Sequence, residues 1–417
     1  MPPKRACDIC ISRKVKCNGS WPCDTCLGAV KKVQCTYLRP ARRRGPKSRR
    51  TCREDADQPA LRVSDEHRDQ ASESMAKAER AITLSQPTEA SSTQRIPTAL
   101  LESIVRLYQR YSYSIWPVIN AEVLISKIKD IEADQDDHHA QNIVCLATAL
   151  CAATMAQLHV EPQITEFGTV DSTELVHACL RRRNKFHDHG EHIDFRSIMV
   201  SFFLHVHHAK ANQRNSAMMY IQEAIAGARV LRLDEVGSQK QDEVFSNTAL
   251  VFPLLWVSER GYALHLGLSP SYHEPLSITE LEMDNDADVE AQGLLELAKL
   301  FVAFDRIAVR RKSPTGATTV DLTDTENKLS SLSFCMADLV SARTADYHIT
   351  RQWMRTILWQ HALSMGLLSS AAYETILTFG FPVQVGRDLL QALRWFCETD
   401  LLPLGRDQVS ETTFGEY

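Results

Sequence analysis

The chain has 417 residues, 44% of them hydrophobic and 24% charged, with 12 cysteines and a formal net charge of −5. That length fits roughly two or three domains, and the apolar content is enough for a large core. The most apolar windows, Ile143 to Leu158 and Ala249 to Val257, are short or interrupted by Thr, Gln and Pro. They fall below the ~18 apolar residues a bilayer demands, so no membrane partner is expected. The small net charge hides an asymmetry: residues 1–50 hold 14 Lys and Arg against 2 Asp and Glu, whereas the remainder holds 33 against 50. Only the N-terminus is built for a polyanion.

Six cysteines open the chain, Cys7, Cys10, Cys17, Cys23, Cys26 and Cys35, in the pattern C-x2-C-x6-C-x5-C-x2-C-x8-C. Thiolates at that density among basic residues point to metal. Two tetrahedral zinc ions need eight ligand positions, which six cysteines supply only if two of them bridge both ions. A disulfide knot is the first competing reading, but Met1-Pro2-Pro3-Lys4-Arg5 begins no signal peptide and no apolar segment follows it, so a reducing, intracellular setting is expected. A zinc module that binds protein instead of DNA is the second. The basic cluster Arg13, Lys14 and Lys16 between two ligands weighs against it.

The runs Arg5 to Cys17, Trp21 to Cys26 and Cys35-Thr36-Tyr37 resemble the fungal Zn2Cys6 binuclear-cluster transcription factors. The resemblance implies two Zn2+ per chain, bridged by Cys7 and Cys23 with the other four cysteines as terminal ligands. It also implies two halves, each a short helix and an extended strand, with Lys14 of the first helix entering the major groove of duplex DNA at a CGG-type half-site.

Residues 38–97 are expected to be a basic arm and a disordered linker. The arm, Arg42, Arg43, Arg44, Lys47, Arg49 and Arg50 with Pro and Gly between, cannot bury itself. Phosphate contacts through Arg42, Arg43 and Arg44 and nuclear import through all six are both expected. Beyond it the chain is rich in Ser, Thr, Gln, Asp, Glu and Ala. The best heptad there, Leu61, Ser64, Arg68, Ala71, Met75, Ala78 and Ile82, makes a poor seam, so a homodimer through this segment is a weak expectation.

From Ile96 to Phe396 apolar residues recur at spacings of three and four, predicting one large all-α domain over 98–397. Helices are predicted near 99–114, 141–158, 172–187, 196–210, 213–232, 246–266, 290–311, 348–369 and 385–397, with breaks or kinks at Pro117, Pro253 and Pro382. The stretches Leu107 to Asn120, Ser201 to Leu204, Ala217 to Leu233 and Leu254 to Leu264 resemble the middle regulatory domain of the same fungal factors. That implies a pathway-specific activator in the nucleus, with a biosynthetic gene cluster placed ahead of carbohydrate use, and coactivators or a small-molecule inducer as candidate partners.

Within this body Glu259 and Arg260 are expected in an interhelical ion pair and His205, His207 and His208 as core or surface residues. The spare cysteines Cys52, Cys145, Cys151, Cys179, Cys335 and Cys397, which lack pairwise ligand spacing, are expected to be mostly ordinary buried thiols. The run His187-Asp188-His189-Gly190-Glu191-His192 follows three arginines and reads as a hydrophilic loop before it reads as a metal site. No G-x-S-x-G, H-E-x-x-H, Walker or G-x-G-x-x-G motif is present, so no enzyme is expected. Residues 398–417 are expected to be a tail, whose stretch Glu398 to Leu404 is either a helix end or a coactivator-recruiting segment.

Overall fold

The computed structural model describes residues 6–29, 35–36, 96–131, 138–166, 168–185, 191–235, 241–277, 289–310, 318–334 and 341–404. The chain divides into two compact units, Met1–Glu89 and Ala90–Tyr417. The basic arm, the linker to residue 95, the heptad, Cys52, Cys335 and residues 187–190 lie outside the described residues.

In the first unit two short helices, α1 (Asp8–Ser12) and α2 (Asp24–Leu27), pack together. The extended segments implied for each half form no β-pairing among the described residues.

The second unit is helical: α3 (Thr98–Leu107), α4 (Ala121–Asp130), α5 (His138–Leu158), α6 (Ser172–Arg183), α7 (Phe195–Lys210), α8 (Arg214–Val230), α9 (Val251–His265), α10 (Val289–Arg310), α11 (Thr319–Ser331), α12 (Ala342–Ser364), α13 (Phe381–Leu393) and α14 (Glu398–Leu401). A short antiparallel hairpin, β1 (Gln163–Thr165) and β2 (Gly168–Val170), precedes α6. Side-chain caps define several starts: Asn120 for α4, Asp171 for α6, Ser341 for α12, and the reciprocal boxes Asp194–Ser197 for α7 and Thr318–Asp321 for α11. Each satisfies helix-end amides that the helix itself cannot.

Helix α5 is the hub, packing on α3, α4, α6 and α7, while α10 joins α9, α11 and α12. Its window Ala140–Leu158 has a mean hydropathy of 1.3 over 19 residues, long and apolar enough to span a bilayer by composition alone. That corrects the sequence expectation, yet 72% of the window is buried among neighbouring helices. It is a core helix.

The corner between α3 and α4 is locked by two buried polar side chains. Tyr108 Oη donates to the carbonyl of Trp116 at 2.7 Å and accepts from the amide of Ile119 at 3.3 Å. Arg343 on α12 donates to the carbonyl of Ser114 at 3.0 Å, to that of Ile115, and to Asp346 at 2.7 Å. Gly293 on α10 lets the Arg343 stem pass, because a Cβ there would sit 2.6 Å from Arg343 Cγ.

Several local expectations change. Helices α4 and α11 and the first turns of α12 were not predicted, and the helix predicted over 385–397 runs from Phe381 to Leu393, with Pro382 in its first turn. Pro253 likewise sits in the first turn of α9, where its missing N–H removes no helical bond. Arg260 pairs with Asp305 of α10 at 3.2 Å, with its guanidinium 3.6 Å over the Trp256 ring, whereas Glu259 accepts from the backbone amide of Ser271 at 2.6 Å. Finally, the start of the expected tail is packed: Leu404 is buried beside Ala345, Ile349 and Leu389, and Gln157 donates to the carbonyl of Pro403.

Candidate metal centre and nucleic-acid interface

Each half of the first unit begins in the same way. Cys7 and Cys23 sit at the N-cap positions of α1 and α2, so the Cys-x2-Cys spacing places Cys10 and Cys26 at the third helical residue, on the same side as the cap. Cys7 Sγ accepts from the Cys10 amide at 3.4 Å, and Cys17 Sγ accepts from the Cys7 amide at 3.4 Å. Helix-terminal amides aimed at sulfur favour the thiolate that a metal needs.

Side chains tie the loops to this frame. Trp21 Nε1 donates to the Cys35 carbonyl at 2.9 Å, Thr25 Oγ1 to the Lys16 carbonyl at 2.9 Å, and Asn18 Nδ2 to Asp24 at 2.6 Å. The amide of Asp8 donates to the Thr36 carbonyl at 2.8 Å, which brings the segment around Cys35 back to α1. Sequence reasoning did not assign these four anchors. The only local signal was that Trp21, Asn18 and Thr25 lie between ligands.

All six cysteines converge. Cys7, Cys10, Cys17 and Cys23 have their sulfurs within 4.8 Å of one another, and so do Cys7, Cys23, Cys26 and Cys35. The two tetrads share Cys7 and Cys23. Nearest sulfur pairs, Cys7–Cys23, Cys7–Cys26 and Cys10–Cys23, are each 3.6 Å apart; a tetrahedral zinc with bonds of ~2.3 Å separates its sulfurs by about 3.8 Å. The donor set therefore fits two zinc ions sharing two thiolates, with no coordination position left for substrate. Cys7, Cys10, Cys23, Cys26 and Cys35 are buried and Cys17 is half-buried.

Protons distribute unevenly over these thiols. Burial pushes Cys7 up, but hydrogen bonds from the Cys10 amide and from neighbouring thiols outweigh it and bring it down to about 6. Cys23 is likewise lowered against the effect of burial, chiefly by Cys26. Burial pushes Cys10 up to about 12.

Arg13, Lys14 and Lys16 are all exposed. Arg13 caps α1, and Lys14 follows in the left-handed region at φ 52°. Its amide donates to the Ile11 carbonyl at 3.2 Å and the Val15 amide to the Cys10 carbonyl at 3.1 Å, the paired bonds of a Schellman cap. Glycine is the default residue there. The same conformation at His159, Asn212 and Arg232 shows that the turn is a helix stop; what Lys14 adds is a cation held clear of the cluster. Arg42, Arg43, Arg44, Lys47, Arg49 and Arg50 lie outside the described residues.

Residues 5–44 match the fungal Zn(2)-Cys(6) binuclear cluster domain, a module that binds two zinc ions. The first unit accordingly carries the zinc cluster of fungal DNA-binding regulators, and the relatives that the chain as a whole resembles are transcription regulators and not enzymes. It is 27% identical over 396 residues to the maltose fermentation regulatory protein MAL13 of Saccharomyces cerevisiae, covering 93% of this chain and 77% of that protein. The maltose fermentation regulatory protein MAL63 of Saccharomyces cerevisiae is 25% identical over 93% of this chain and 78% of its own length. The probable sucrose utilization protein SUC1 of Candida albicans is 25% identical over 94% and 74%. These similarities run through the helical unit as well as the zinc module. No solved structure matches the chain.

Proposed function

We propose that the chain is a nuclear activator of carbohydrate-utilisation genes that reads CGG-type half-sites through Lys14. The observation that carries the DNA-binding part is the pair of cysteine tetrads sharing Cys7 and Cys23, with Arg13, Lys14 and Lys16 exposed beside it. In this reading Cys7 and Cys23 bridge the two zincs, Cys10, Cys17, Cys26 and Cys35 are terminal ligands, and residues 1–37 form the DNA-binding module. Residues 38–97 are arm and linker, and 98–397 the regulatory body.

The pathway ranking drawn from sequence is reversed. Relatives named for maltose and sucrose use favour carbohydrate genes over a biosynthetic cluster. Mapping bound sites across the genome, with transcript levels after deletion, tests this: occupancy and loss of expression at sugar-transport and glycoside-hydrolysis genes is expected, and binding confined to a biosynthetic cluster would overturn it. Replacing Arg42, Arg43, Arg44, Lys47, Arg49 and Arg50 with alanine should leave a tagged protein cytoplasmic. Because the heptad is weak, a single half-site should bind nearly as well per site as a pair unless the helical body dimerises.

A further inference from the structure

The helical unit holds a half-open cavity of ≈ 680 Å³ lined from α7, α9, α10 and α12, the 115–116 corner and Leu404. Its size lies within the roughly 300–1,000 Å³ of small-molecule sites. Sequence periodicity gave no sign of it, since the lining comes from segments far apart in the chain.

Its wall combines aromatic faces with buried polar groups. Trp116, Tyr262 and Trp353 supply ring surface, while Arg343, Asp346 and His205 supply hydrogen bonds. Arg343 and Asp346 are only 2% and 5% exposed, yet both border the cavity. Of the five N–H groups of a guanidinium, the bonds to Ser114, Ile115 and Asp346 use three. Two remain for an acceptor. His205 is fixed by its Nδ1, which donates to the Ala217 carbonyl at 2.9 Å. Burial lowers its pKa to about 4, so the ring is neutral and its other nitrogen is an acceptor.

Charge decides the ligand class. Arg343 is matched by Asp346 at 2.7 Å, so this buried pair presents donors and acceptors with no net charge, and Lys210, half-buried, is the other cation on the lining. A hydrocarbon ligand would leave these groups desolvated and unpaired, and an anion would meet a guanidinium whose charge is already matched. A neutral polyhydroxylated molecule satisfies both features: its hydroxyls pair with Arg343, Asp346 and His205, and its C–H faces lie against Trp116, Tyr262 and Trp353. We infer that this cavity is a binding site for a neutral sugar of mono- or disaccharide size. The choice of sugar probes rests on the carbohydrate reading above; the cavity and its charge balance do not.

Gly261 supplies the test. It lies on the cavity side of α9, and a Cβ there would touch only Phe301, at 3.5 Å. Gly261→Leu therefore fills the space without removing a core contact, and Ala209→Leu does so from α7. Calorimetric titration of the zinc-loaded full chain with maltose, sucrose, glucose and glucose 6-phosphate should show saturable binding of at least one neutral sugar, with the phosphorylated sugar no tighter. Each leucine variant should weaken that binding by more than about tenfold at unchanged zinc content and helical circular dichroism. If one variant misfolds, the other decides, and loss of the sugar-induced tryptophan fluorescence change in Trp353→Phe gives a third reading. No binding by any neutral sugar, tighter binding of glucose 6-phosphate, or unchanged affinity in folded leucine variants each overturns the assignment. Occupancy of sugar-gene promoters by a chain that binds no sugar would sink this site and leave the regulatory reading standing; sugar binding without such occupancy would do the reverse.

Discussion

In the zinc module the buried side chains are almost all cysteine, with Ile9 packed against them, while Ile11, Val15, Trp21 and Leu27 stay 42–71% exposed. In the helical unit the buried side chains are Trp256, Tyr108, Tyr347, Phe202, Phe203 and scores of aliphatics in one large cluster, with a smaller one around Ile349 and Leu404. Removing apolar surface from water stabilises the second at about 25 cal/mol per Å². The first has no comparable core and depends on metal–sulfur bonds. Two regions of one chain thus fold by different forces, and perturbations aimed at either force should separate them.

Metal removal is the largest effect. Structural zinc contributes on the order of 10 kcal/mol or more to folding of a small module, so chelation should unfold residues 5–37 and leave the thermal transition of the helical unit in place. A finer version contrasts the shared and unshared sulfurs. Cys7→Ala removes a ligand from both tetrads and should lose both zincs, whereas Cys17→Ala strips only one tetrad, so zinc content should fall further in the first. Equal loss would argue against sharing.

Core truncation reverses the pattern. Phe202 is fully buried against Trp116 and Phe203, and Phe202→Ala should destabilise the helical unit by about 3–5 kcal/mol with two zincs still bound. Zinc loss in that variant would show that the units are not energetically separate.

Lys14→Ala should cost about 1–3 kcal/mol on a CGG site and flatten discrimination among triplets, with zinc content unchanged. Because Lys14 adopts φ 52°, Lys14→Gly should lose the same discrimination while stabilising the module by roughly 1 kcal/mol. Full discrimination in either variant would remove Lys14 from the groove.

Acidity gives the smallest contrast. His205 is held neutral in the fold, its pKa brought down to about 4 by burial, and His207 shifts the same way for the same reason. An unfolded histidine takes up a proton near 6.5, so the unfolded chain binds more protons between those values. The stability present above pH 6.5 is therefore lost as pH falls toward 4, at up to about 1.4 kcal/mol per pH unit for His205. Thermal unfolding of the helical unit between pH 7 and 5 should show this slope, flattened in His205→Gln.

What the sequence made legible follows from how local each signal is. The six cysteines declare themselves because their ligand spacing is fixed within 29 residues. Helices α7 and α8 stand out by apolar periodicity, and α5 and α9 by being apolar on nearly every face. Helix α11 escapes because its buried positions include Thr325 and Glu326 beside Leu322 and Leu329, and the start of α12 because Arg343, Thr344 and Asp346 are buried there. Polar residues in a core look like surface to a hydrophobic pattern. The cavity escapes for a stronger reason: its polar groups meet only after Gln157, His205, Arg343 and Leu404 are brought together by folding.

In the proposed reading, two zincs held by six thiolates, two of them shared, present Lys14 to duplex DNA. Zinc content and CGG-duplex affinity measured on the same sample during stepwise chelation test it most directly. Two zinc equivalents per chain are expected, with specific binding lost as they are withdrawn and restored on returning zinc. One equivalent per chain, or specific binding that survives full chelation, would contradict it.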